Sequence, residues 1–194
     1  MLKPRPASLR RSVLPLLLML LALGSALLGA RPVFAAEGST DAQVKAGFVY
    51  NFAKYTEWPA AAFASPQAPI RLCFTGVDES QAKAFAAIEG KPVQGREVRI
   101  RRNPTLAEMA ECNILYLGDD EPRRVHAALQ AARNASVLTI SDSDGFVDTG
   151  GVIGLLYAGN RMQFEVNLSA AQRAGLKIAS QVLKIARVVR DSKI

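Results

Sequence analysis

Residues 114–140 read ILYLGDDEPRRVHAALQAARNASVLTI. Ile114 to Leu117 is a short apolar run closed by Gly118, the length of a buried strand rather than of a helix. Pro122 then stands where a first helical turn tolerates proline, because that position's N–H has no partner inside the helix. Val125, Leu129 and Ala132 recur at helical spacing, and Val137-Leu138-Thr139-Ile140 is another apolar strand. Strand, helix, strand is a crossover unit, and crossovers join parallel strands.

The same rhythm extends upstream. Ile70 to Phe74 reads as a strand with a turn at Thr75-Gly76, and Gln81 to Ile88 has helical spacing up to Gly90. Val98 to Arg101 alternates apolar and basic, and Thr105 to Glu111 is a short helix. Four strands separated by helices predict an α/β fold: a mostly parallel sheet with helices on both faces, a three-layer sandwich. Downstream the pattern breaks. Gly150 to Tyr157 is an apolar strand, Ala158-Gly159-Asn160 a tight turn, and Arg161 to Asn167 alternates strictly, which predicts an antiparallel hairpin with one wet face. Ser169 and Gln172 fit a capping box, and Ile178, Val182, Ile185 and Val189 mark the stripe of one long C-terminal helix, Leu168 to about Val189. The basic side chains at its end, Lys184, Arg187, Arg190 and Lys193, suit a helix C-terminus.

The chain's start bears on compartment. Lys3, Arg5, Arg10 and Arg11 precede a nearly uninterrupted apolar run from Val13 to Leu28, and Val33-Phe34-Ala35 offers small residues before a cut at Ala36. This is the layout of a secretory signal peptide over residues 1–35, leaving residues 36–194 as a single domain. With the leader go five of the 24 basic residues, so 19 face 17 acidic ones and the net charge falls from +7 to +2. Bulk charge then gives no case for nucleic acid, and Arg99, Arg101 and Arg102 read as a solvated strand edge. In an oxidising compartment the two cysteines, Cys73 and Cys112, point to a disulfide rather than to two free thiols.

Catalytic patterns are mostly absent. His126 is the only histidine and lies in a charged helix; no G-x-S-x-G, G-x-G-x-x-G or phosphate-loop lysine motif occurs. The expectation is a protein that is not an enzyme, with no metal and no cofactor. Three acidic turns follow strands at the C-terminal edge of the sheet: Asp78-Glu79, Asp119-Asp120-Glu121, and Asp142 with Asp144. Helix capping accounts for them, and a small-molecule site in the cleft beside them is the alternative.

Residues 44–59, VKAGFVYNFAKYTEWP, hold five of the thirteen aromatics in eleven positions. Val44, Phe48, Phe52 and Tyr55 form a helical stripe that reads as core, with Trp58-Pro59 ending the helix. This stretch and the closing RMQFEVNLSAAQRAGLKIASQVLKIARVV together resemble the YfiR family of exported bacterial proteins, over roughly residues 41–190. Cys73 and Cys112 sit where that family places a disulfide. A second, short-range cysteine pair of some relatives has no counterpart between Gly145 and Gly154.

The resemblance implies a periplasmic repressor that binds the periplasmic sensor part of a membrane-bound diguanylate cyclase. It also implies sequestration by an OmpA-like outer-membrane lipoprotein, with cyclic di-GMP and biofilm formation as output. The hairpin is the candidate contact. Ile153, Leu155 and Tyr157 lie on a strand too apolar to be wet on one face, so a partner, a second copy of the chain or the C-terminal helix must cover them. Arg161, Gln163 and Glu165, with Asn167, give the neighbouring strand a polar rim.

Overall fold

The computed structural model describes residues 40–118, 121–159 and 161–191. The proposed leader, Asp119, Asp120, Asn160 and Lys193 lie outside the described residues. Five strands form the parallel body of the sheet: β2 (Ile70–Thr75), β4 (Arg96–Arg102), β5 (Ile114–Leu117), β6 (Leu138–Ser141) and β7 (Ile153–Ala158). Their spatial order is β4-β2-β5-β6-β7, so the winding reverses between β2 and β5. Three more strands complete eight. β3 (Pro92–Val93) pairs antiparallel with β4, β8 (Arg161–Asn167) antiparallel with β7, and β10 (Val188–Arg190) parallel with β8.

Alternation along the strands feeds two apolar layers. Ile70, Leu72, Phe74, Ile114, Tyr116, Leu138 and Ile140 face one; Cys73, Leu115 and Leu117 face the other. Helices α1 (Asp41–Lys54) and α2 (Glu79–Ala86) cover the first layer with Ala46, Val49, Phe52, Ala82 and Phe85. Helices α3 (Leu106–Met109) and α4 (Pro122–Ala132) cover the second with Met109, Val125, Ala128 and Ala132. The mostly parallel three-layer α/β fold is therefore as the sequence predicts. At the reversal, strand ends meet closely: a Cβ on Gly118 would lie 2.6 Å from the Gly76 carbonyl oxygen, so only glycine fits there.

Two elements differ from the sequence reading. The long C-terminal helix is absent. Helix α5 spans Leu168–Arg173, Gly175 turns the chain at φ +70°, and β9 (Lys177–Ile178) pairs antiparallel with β1 (Thr56–Glu57). Helix α6 (Ser180–Ile185) follows, Ala186 is extended, and Val188–Arg190 becomes strand β10. The reason is tertiary: β8 has an open edge whose backbone groups need partners, and the last residues supply them. The cap also differs, since the Asn167 side chain, not Ser169, accepts from the Ala170 N–H at 2.8 Å.

The aromatic helix ends earlier and turns further than expected. Its buried face is Ala42, Ala46, Val49, Phe52 and Ala53; Val44 and Phe48 are half-buried and Tyr55 is 45 % exposed. The helix stops at Lys54, not at Trp58-Pro59, because Thr56-Glu57 is drawn into the pairing with β9. Its last carbonyls are satisfied from outside: the Gln94 amide donates to Ala53 (3.2 Å), Lys54 (3.2 Å) and Thr56 (2.7 Å).

Cys73 of β2 and Cys112, just before β5, are joined by a disulfide with Cα atoms 6.0 Å apart. It lies wholly inside the second layer. Closing a loop of 39 residues stabilises by about 4 kcal/mol in the chain-entropy model. Non-reduced peptide mapping should yield one Cys73–Cys112 linked pair, and Cys112→Ser should lower the urea-unfolding free energy by about that amount. Two freely alkylated thiols in the folded protein would contradict the bond.

Candidate functional site

The C-terminal edge of the parallel strands is built around one lysine. Lys45, on the first turns of α1, reaches Asp142 at 2.6 Å and Asp41 at 2.8 Å. The Tyr116 hydroxyl, buried at the end of β5, bonds to Asp142, and the Tyr157 hydroxyl donates to Asp41. Asp78 accepts from the Gln81 N–H at 2.7 Å and so caps α2, as the sequence predicts for an acidic turn. Around these groups is a cleft of about 410 Å³. Its charges compensate one another. Burial pulls the Lys45 pKa down, but hydrogen bonds and charge from Asp142 and Asp41 outweigh this and hold it above its ordinary value. Burial, then the Asp142 charge, keeps the Tyr116 hydroxyl protonated well beyond the usual tyrosine range.

The basic run on β4 is likewise neutralised locally. Arg99 meets Glu97 at 2.8 Å and Glu89 at 3.2 Å, and Arg101 meets Glu108 at 2.8 Å. His126 is exposed on α4. Among the described residues no group of three or more His, Cys, Asp or Glu is arranged to hold a metal ion. No described helix is long and apolar enough to cross a membrane.

The hairpin residues separate into two sets. Ile153 and Leu155 are 0 % and 3 % exposed, inside the core, and cannot meet a partner. They belong to one buried cluster with Phe52 of α1 and with Ala170, Ala171 and Val182 of the C-terminal segment. Leu155 pairs with Phe164 across the hairpin, and the Phe48 and Phe52 rings of α1 rest on Phe164 with centroids 6.0 and 4.9 Å away. Tyr157 and Arg161 are exposed near the hairpin tip, while Gln163 and Glu165 are half-buried. Glu165 lies 3.8 Å from Arg190 of β10, whose guanidinium also holds Asp148 at 2.8 Å. The polar face of β8 is thus partly roofed by the last strand rather than open as a rim.

What remains exposed and apolar is a groove the sequence reading missed. Phe48 and Phe52 of α1, Tyr55 just past its end, Phe164 of β8, and Val182 and Ile185 of α6, with Asn51 and Gln181, enclose about 300 Å³. Tyr55 and Ile185, at 45 % and 73 % exposed, stand on its two sides. The groove lies where Phe48 at the margin of α1 and Tyr55 just past its end meet the short helix α6, with buried Phe52, Phe164 and Val182 at its base.

A family model described as DUF4154, YfiR/HmsC-like, matches residues 42–187. The chain belongs to the YfiR/HmsC-like family. The match runs from α1 to just before β10, so the groove, the disulfide and Lys45 with Asp142 lie within the YfiR/HmsC-like region. Among solved structures, the chain is similar to a conserved domain protein from Vibrio cholerae O1 biovar El Tor str. N16961, at 12 % identity and a TM-score of 0.53. That likeness covers 78 % of this chain and 60 % of the other. A second is the ABC domain in complex with L-Trp from Streptococcus pneumonia, at 13 % identity and a TM-score of 0.49, covering 77 % of this chain and 60 % of that one. The chain therefore spans about three-fifths of the length of either structure, and the Vibrio likeness shows a shared α/β fold, not a shared function.

The Lys45 cluster gives a stability test with a defined sign. A lysine whose pKa is raised on folding adds stability that is fully present below its unfolded value of 10.5 and lost as pH rises through the folded value. Lys45→Met should therefore destabilise the protein by an amount constant from pH 7 to about 10 and shrinking above 10.5. Urea unfolding of both proteins across that range is the measurement; a difference that grows with alkalinity contradicts the assignment.

Proposed function

We propose that this chain is a periplasmic regulator that acts by protein–protein binding. It restrains a membrane-bound diguanylate cyclase by holding the cyclase's periplasmic sensor part. In this reading residues 1–35 are a secretory leader cut before Ala36, and residues 36–194 are one regulatory domain without catalytic activity. An OmpA-like outer-membrane lipoprotein that competes for the regulator releases the cyclase, raising cyclic di-GMP and biofilm formation. A homodimer is compatible with the same surface.

Membership of the YfiR/HmsC-like family supports the regulatory class. The observation that carries the contact is the groove between α1 and α6, with Tyr55 and Ile185 exposed beside half-buried Phe48. Large apolar side chains standing out of a folded domain mark an interaction surface, and an aromatic anchor beside an aliphatic wall is the usual centre of one. The proposed contact therefore moves from Ile153 and Leu155 to this groove, with Tyr157, Arg161, Gln163 and Glu165 at or near the hairpin end of the same sheet.

The test is capture of a diguanylate cyclase sensor part by the purified domain. Tyr55→Asp and Ile185→Asp should each weaken capture by roughly thirtyfold or more, the loss expected of a central anchor. Melting temperatures should change little, since both side chains are exposed. Glu165→Lys is a contrasting variant: it places like charge beside Arg190 and should loosen β10, lowering stability as well as binding. Unchanged capture by folded Tyr55→Asp and Ile185→Asp proteins would move the contact away from the groove.

A further inference from the structure

At the opposite edge of the sheet from the Lys45 cluster lies a second cavity of about 370 Å³. It is bounded by the C-terminal half of α4, the start of β6, the loop that leads into β7, and α5. Leu129, Val137, Val152 and Ala170 make its apolar wall. Its polar side chains are Arg133, Arg173, Gln130, Thr139 and Thr149, with no carboxylate in the lining; the Thr149 hydroxyl donates to the Phe146 carbonyl at 2.8 Å.

Both arginines are exposed, and neither has an ion pair among the described residues, in contrast to Arg99, Arg101 and Arg190. Asp148, which precedes the lining residue Thr149, is held by Arg190 at 2.8 Å. Each arginine sits at a helix C-terminus, a favourable place for a cation. That accounts for each position singly, but the terminal carbonyls do not use them. Gln130, Ala132, Ala170 and Gln172 already accept from the backbone N–H groups of Arg133, Ala135, Ala174 and Gly175.

Thr139 supplies the independent observation. It is 4 % exposed, and its Oγ1 accepts from the Val152 N–H at 3.0 Å, which leaves its O–H proton without an acceptor among the described residues. A buried donor left unmade is costly, and this one lines the cavity that the two guanidinium groups flank.

We propose that this cavity binds a small organic anion, a carboxylate or phosphate ester carrying a short apolar body. Guanidinium forks grip such groups with paired charge-assisted hydrogen bonds, the Thr139 O–H completes the shell, and the apolar wall takes the body. The volume is at the lower end of the ~300–1,000 Å³ typical of small-molecule sites. The site is separate from the α1–α6 groove and does not depend on the partner proposed for it.

The test is a titration of the purified domain with sodium benzoate and with phenyl phosphate, followed by backbone amide NMR. Saturable shifts centred on Thr139, Thr149, Gly150 and Val152 are expected with at least one probe. Arg133→Gln and Arg173→Gln should each weaken binding roughly tenfold, as loss of a charge-assisted contact does. Arg99→Gln, on the far side of the sheet, should leave it unchanged, and amide spectra of all three variants report whether the fold is intact. Absence of saturable shifts with both probes overturns the site. Saturable shifts centred elsewhere, or equal affinity in folded Arg133→Gln and Arg173→Gln proteins, overturn it equally.

Discussion

A mostly parallel sheet is apolar on both faces, and every strand must be covered on both. In the regular part of this fold the crossover helices do this as they occur. The hairpin of β7 and β8 is followed only by the short helices α5 and α6, and a helix from the other end of the chain shares in covering its inner face. Phe48 and Phe52 of α1 close on Phe164, and this long-range contact determines much of the rest. It makes the N-terminal helix part of the core of a C-terminal hairpin. It accounts for Phe48 and Phe52, whereas Tyr50 donates to Pro92 and Trp58 to Asn113.

A helix recruited from so far away has to be fixed in place, and α1 is fixed at both ends. At its start Lys45 bridges to Asp142 after β6, and Asp41 accepts from Tyr157 of β7. At its finish Gln94, held at φ +52°, donates to three carbonyls, and the Tyr50 hydroxyl donates to Pro92. A left-handed φ at a non-glycine residue costs of order 1–3 kcal/mol and persists where surrounding structure over-determines it. Hydrogen bonds to the last two carbonyls of the helix and to Thr56 of β1 are that surrounding structure.

The parallel body was legible because its cues are local. Ile114 to Leu117 and Val137 to Ile140 are too short and too apolar to be anything but buried strands, and Pro122 dates the helix between them. The disulfide was legible because two cysteines bordering neighbouring strands leave little choice. What escaped was set by distant pairing. Ile178, Val182, Ile185 and Val189 keep helical spacing, yet Gly175 breaks the chain and the open edge of β8 claims Val188–Arg190. The helix stripe was misjudged for a different reason: bulk drew attention to Phe48 and Tyr55, whereas close approach of α1 to the sheet needs Ala42, Ala46 and Ala53. Ile153 and Leu155 are covered, as the apolar run of their strand requires, but which element covers them is not written in that strand.

The charges follow the same division between what folding consumes and what it leaves. Among the described carboxylates at the C-terminal edge, Asp41 and Asp142 are taken up by Lys45, Tyr116 and Tyr157, and Asp78 by the cap of α2, so these serve as the fold's own fastening. Glu89, Glu97 and Glu108 are taken up in turn by the arginines of β4. Arg133 and Arg173 are not consumed in this way, nor are the aromatic and aliphatic side chains of the α1–α6 groove. A rigidly held α1 matters to that groove, because one wall of it is the same helix that the core and both end clamps immobilise. For the partner proposed to dock there, Phe48 and Tyr55 would be already positioned, so less of the contact energy would be spent on ordering the surface. The clamps that make α1 a reliable cover for the hairpin thus also make its outward face a preorganised one.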